Sequence, residues 1–171
     1  MSKPARAGPF TIKAALLEAF ATSDRINRFL IENLSDAAWR AEPPGGKGRT
    51  IAAIVSHMHN DRVMWLKMTG HRSGLPAHLR RQTVTRAQAL KAFPKSRDAI
   101  LKVLNEALEG DGRLKNFPPD AVTFFTAMVA HDAHHRGQIV MLARLAGHPI
   151  PDAARWGIWH WSKRWREAVE G

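Results

Sequence analysis

Cysteine is missing from this chain, and with it go disulfide frameworks, thiolate metal sites and cysteine nucleophiles. No run of roughly 18 apolar residues occurs, so no segment reads as a membrane span. Nothing at the start resembles a secretory signal: Met1 to Pro9 is short, polar and Pro/Gly-bearing, with no apolar stretch behind it. The expected location is therefore the cytoplasm. Internal repeats, low-complexity tracts and alternating strand patterns are lacking as well. Blocks of one charge sign are also absent, although 26 Lys+Arg against 15 Asp+Glu give a net charge of +11. The basic residues are spread from Arg25 to Arg166, densest at Arg80-Arg81 and Lys163-Arg164-Trp165-Arg166. Such an excess suits acidic partners such as nucleic acid, phosphorylated or carboxylated small molecules, or an anionic membrane surface. Because no helix carries a basic stripe, it reads as a solvated surface, and nucleic acid is not the expected partner.

What is present is enough for one folded domain. The chain has 171 residues, 44% of them apolar, which suffices for a buried core and predicts a single domain over 1–171. Four long helical patterns stand out, over about 11–34, 50–69, 85–109 and 119–146. In the first, Ile12, Leu16, Ala19, Ile26 and Leu30 recur at helical spacing. Glu42-Pro43-Pro44-Gly45-Gly46-Lys47-Gly48 then breaks regular structure. Thr50 caps the second helix, which stops at Gly70. Pro94 is expected to kink or split the third, and the fourth opens after Pro119-Asp120 and closes on Gly147. A shorter helical stretch over 151–169 carries Trp156, Trp159, Trp161 and Trp165, and is expected to pack against the other helices. The fold class is all-α.

Two helices carry polar residues on otherwise apolar seams. The fourth reads Phe124, Met128, His131, His135, Gln138, Leu142, Leu145, stepping by threes and fours along one expected buried face. Histidines at i and i+4 project from the same side one turn apart, a geometry that suits two imidazoles on one metal. The second reads Ile54, His57, Asp61, Met64, Met68. Packed together, the two seams would bring His57, His131 and His135 onto one divalent ion with coordination positions left open. The alternative is hydrogen-bonded core histidines, and spacing alone does not decide between them. Asp61 could orient a ligand, complete the sphere, or pair with an arginine such as Arg136. His59, His71, His78, His148 and His160 read as ordinary, and His134 as adjoining the seam. His131-Asp132-Ala133-His134-His135 approaches the zincin H-E-x-x-H pattern, but Asp132 replaces the glutamate base and no downstream third ligand follows, so a peptidase is a poor reading.

The run His131-Asp132-Ala133-His134-His135-Arg136-Gly137-Gln138 resembles the H-x-x-x-H-R-G-Q signature of the DinB/YfiT-like metalloprotein superfamily. His57 matches that family's helix-two histidine. Leu34-Ser35-Asp36-Ala37-Ala38-Trp39 and Gly147-His148-Pro149 add further matches, so the resemblance covers most of the chain. It implies a four-helix bundle of up-down-down-up topology, here with an extra C-terminal helical segment, and often a homodimer. It also implies one divalent ion, nickel or zinc foremost and iron, manganese or copper as further candidates, on His57, His131 and His135. Gly137 would permit close helix approach and Gln138 would support the site, with Asp61 beside it. Members of known activity resemble thiol S-transferases using bacillithiol or mycothiol, and a mycothiol-dependent maleylpyruvate isomerase. By that likeness, the expected function is a metal-dependent transferase with a low-molecular-weight thiol as cosubstrate and a small-molecule substrate. The competing expectations are a metal-binding stress or interaction protein without turnover, and a basic nucleic-acid binder.

Overall fold

The computed structural model describes residues 9–167, and among them every regular element is helical. In chain order these are α1 (Ile12–Glu32), α2 (Asp36–Arg40), a 3-10 turn (Pro44–Gly46), α3 (Ile51–Met68), α4 (Arg86–Glu109), α5 (Ala121–Leu145), α6 (Asp152–Gly157) and α7 (Trp161–Arg166). Each long helix starts on a side chain that accepts from an otherwise unpaired backbone N–H: Thr11, Thr50, Thr85 and Asp120. Such a cap contributes about 1 kcal/mol, and Thr85 with Gln88 closes a full capping box. α3 and α5 end alike. Gly70 (φ 96°) and Gly147 (φ 79°) take the left-handed conformation, which turns the following amide back to the helix: His71 donates to Leu66 and His148 to Ala143. No helix among the described residues is long and apolar enough to cross a membrane.

Apolar burial forms two clusters rather than one. Leu30, Ile31, Trp39, Val55, Met58, Phe93 and Ile139 build the first. Phe20, Leu66, Ile100, Leu104, Phe124 and Met128 build the second. α1 and α5 run from the second cluster to the first, while α3 and α4 run from the first to the second. α1 packs on α4 and α5, and α3 packs on the same two. Between the clusters every long helix contributes buried polar groups: Asp24 and Asn27, His59 and Arg62, Ser96, and Asp132. Arg62 lies at the middle, its guanidinium 5.3 Å from the Phe20 ring and 5.0 Å from Phe93. It donates to Asp24 Oδ1 at 2.6 Å and to Asp132 Oδ2 at 2.7 Å.

Several local expectations are corrected. The segment after α1 forms α2, capped by Ser35 and pinned by Trp39 Nε1, which donates to the Val84 carbonyl. The Pro/Gly-rich stretch holds one 3-10 turn, with Gly45 outside helical dihedrals. Pro94 does not split α4, which runs unbroken from Arg86 to Glu109. The tail is two short helices, and Ala168 and Val169, at the end of the expected stretch, lie outside the described residues. α7 packs on α1 through Arg164, which stacks 4.0 Å from the Phe29 ring and whose carbonyl accepts from Arg25 Nε. Beside it, Gly157 comes so close to Phe29 that a Cβ there would sit 2.6 Å from the ring. The four tail tryptophans remain exposed.

Candidate metal centre

At the rim where α3 meets α5, three imidazoles converge. His131 Nε2 lies 3.2 Å from His57 Nε2 and 3.1 Å from His135 Nε2, and the cluster's ligand atoms all fall within 4.8 Å of one another. Two nitrogens each about 2.0–2.1 Å from one ion, at angles between square and tetrahedral, stand about 3.0–3.4 Å apart. His131 thus stands from each of its two neighbours at the spacing of ligands on one ion, and the three together form a cluster that could hold a metal. His135 is buried, whereas His57 and His131 are half-buried, so the cluster meets solvent. Burial foremost, with the positive charges of His135 and Arg49, lowers the pKa of His57 to about 4. Burial likewise lowers that of His135, against the Gln138 hydrogen bond that raises it. Both rings are thus neutral near pH 7, the state in which imidazole offers a lone pair.

The groups around the rings set their orientation. His135 Nδ1 donates to Gln138 Oε1 at 2.7 Å, which leaves Nε2 as the free acceptor. Asp61 Oδ2 lies 3.7 Å from His131 Nε2, on the edge facing the cluster. Arg136, considered as a partner for Asp61, instead donates to Asn27 Oδ1 at 2.6 Å and to Ser23 Oγ at 3.3 Å. On the far edge of His131, its Nδ1 lies 4.0 Å from Asp132 Oδ1. The other oxygen of Asp132 accepts from Arg62 and from Asn27 Nδ2. Burial alone would raise the Asp132 pKa, but the Arg62 guanidinium, the nearby His131 ring and the Arg62 hydrogen bond outweigh it and hold the carboxyl at about 2. A carboxylate so engaged beneath the helix is not placed to act as a zincin base. Gly137 does not mediate a close helix approach: within the chain a Cβ there would meet nothing within 4 Å.

The buried stripes keep Ile54, Phe124, Met128 and His135 of the expected seams and pass one residue away from His57, Asp61, His131, Gln138 and Leu142. On α5 the buried positions are Phe124, Met128, Asp132, His135, Ile139 and Ala143, while Gln138 and Leu145 are exposed. On α3 they include Ile54, Val55, Met58, His59, Arg62 and Leu66, while Met64 and Met68 are exposed. That rotation places His57 and His131 at the rim instead of the centre. The network of Asp24, Asn27, Arg62 and Asp132 was not foreseen, because a buried charge and a surface charge look alike in sequence. His59 is a satisfied core histidine, with Nε2 donating to the Ala77 carbonyl at 2.9 Å and Nδ1 3.1 Å from Ser96 Oγ.

Two cavities flank the cluster. One, of about 340 Å³, is lined by His57, Asp61, Met64, Arg49 and Arg81. The other, of about 900 Å³, is lined by His135, Gln138, Ile54, Met141, Lys47 and again Arg49. Arg49 thus borders both.

Comparison with known proteins identifies one family. The model of the DinB family matches residues 1–166. No curated protein and no solved structure matches the chain. The chain belongs to the DinB family.

Proposed function

We propose that this DinB-family chain holds one divalent ion, nickel or zinc, on His57, His131 and His135, and works as an enzyme of the thiol S-transferase type on small molecules. The observation that carries the reading is the convergence of three Nε2 atoms at a rim reached by solvent. When bound, the ion would supply Lewis acidity, lowering the pKa of a low-molecular-weight thiol so that it reacts as thiolate. The remaining roles belong to the chain. Gln138 Oε1 fixes the tautomer and direction of His135. Asp132, anchored by Arg62, backs the Nδ1 edge of His131. Asp61 Oδ2, on the cluster's open edge, receives the proton that a thiol gives up. The two flanking cavities provide separate room for a thiol and for its acceptor.

The same reading takes residues 1–171 as one domain and the four long helices as an up-down-down-up bundle. It is supported by the opposite directions of α1 and α5 against α3 and α4, and by the packing of each on two others. The homodimer rests on the family resemblance alone.

Plasma mass spectrometry of protein purified without a histidine tag tests the site. About one equivalent of divalent metal is expected in the parent, and little in His131→Ala. A metal-free parent that also takes up neither zinc nor nickel on titration would make the three histidines core residues and remove the enzyme reading.

A further inference from the structure

Resting on the metal reading above, we propose that the site selects an anionic small molecule whose metal-binding atom is accompanied by a carboxylate held by Arg49. Three neutral imidazoles would leave the double charge of an ion uncompensated, so an incoming donor atom is favoured when it is itself an anion. The rim adds charge of the same sign. Lys47, Arg49 and Arg81 line the two cavities, and among the described residues lining them the only carboxylate is Asp61, turned toward His131.

These cations differ from seven other arginines of the chain. Arg25, Arg40, Arg62, Arg86, Arg97, Arg136 and Arg164 each hold a carboxylate, a carbonyl or a side-chain oxygen. Arg49 and Arg81 have no hydrogen bond or ion pair among the described residues, so both guanidiniums present their full set of donors to whatever enters. A planar guanidinium matches a carboxylate with two parallel hydrogen bonds, and such charge-assisted pairs are about twice as strong as neutral ones.

Arg49 is the better placed of the two. It borders both cavities, one lined by His57 and the other by His135, and stands immediately before the Thr50 cap of α3. A ligand coordinating at the cluster would therefore meet it from either side. Ile54, Met141 and Leu145, which also line the larger cavity, leave an apolar surface for the rest of the acceptor.

The test loads the protein with one equivalent of cobalt(II) and follows the thiolate-to-cobalt charge-transfer band during titration with mercaptopropionate or with mercaptoethanol, which lacks the carboxylate. The parent is expected to bind mercaptopropionate about tenfold more tightly. Arg49→Gln should lose most of that preference while keeping its affinity for mercaptoethanol, and Arg49→Lys should recover part of it. Lys95→Gln, which removes an exposed cation on α4 that lines neither cavity, should keep it in full. Equal affinities in the parent, or a preference that survives in Arg49→Gln, would overturn the inference and leave the metal site standing. No band with either thiol would overturn the open metal site and the inference together.

Discussion

Asp132 follows His131 directly, and its position one step along the helix sends its carboxylate downward into the protein. There it meets Arg62, whose pKa burial would lower but which Asp132 and Asp24 together hold well above its ordinary value. A buried ion pair contributes little net stability when intact, yet losing one partner strands the other in a low-dielectric interior. Arg62→Met, which strands both Asp24 and Asp132, is accordingly expected to cost about 3–5 kcal/mol in urea unfolding. A cost below about 1 kcal/mol would show the pair to be hydrated and dispensable. The same residue explains a limit of sequence reading. His57, His131 and His135 were legible because histidines one turn apart on an apolar helix stand out. Asp132 and Arg62 were not, because a charged side chain gives no sign of being buried until its opposite charge on another helix is known.

The helices themselves were readable to within a few residues, since Thr50, Thr85, Asp120, Gly70 and Gly147 mark their ends by chemistry local to each turn. Their rotation was less so. On α5, apolar and polar residues both enter the buried stripe, and tracing the stripe through His131 and Gln138 turned the helix by one residue. α2 was missed although Ser35 and Asp36 carry the signature of a helix start, because five residues give no periodicity to detect. The tail shows how an element can be fixed by one contact. Gly157 leaves room for the Phe29 ring, which in turn carries Arg164. Gly157→Ala forces that ring aside, at about 1–3 kcal/mol. Faster trypsin cleavage after Arg155 or Lys163, read by mass spectrometry, is the expected result, with α1 to α5 remaining resistant. Cleavage at the parental rate would mean that α6 and α7 are held by other contacts.

Across the whole molecule, the polar layer and the histidine cluster make stability depend on pH in one direction. His57, His59 and His135 have pKa values lowered by folding, so below about 6.5 the unfolded chain takes up protons that the folded chain refuses. The metal-free protein should therefore lose stability as pH falls from 6.5 toward 4, the folded value for His57. A second loss follows below the ordinary carboxylate range, as pH falls toward the value of about 2 held by Asp132. Thermal midpoints between pH 7.5 and 4.5, at constant ionic strength, check the first window; a flat profile there would contradict it.

The outward-facing tail also decides what light reports about this protein. The chain has no tyrosine and six tryptophans, and four of these lie in or beside α6 and α7, Trp156 and Trp159 being 62% and 70% exposed. Its ultraviolet emission therefore comes largely from indoles that are already wet in the native state. Unfolding will shift that emission little, and acrylamide will quench most of it before any denaturant is added. Fluorescence becomes a sensor of the tail, of whatever dries or docks on it, while far-ultraviolet circular dichroism follows the helices beneath.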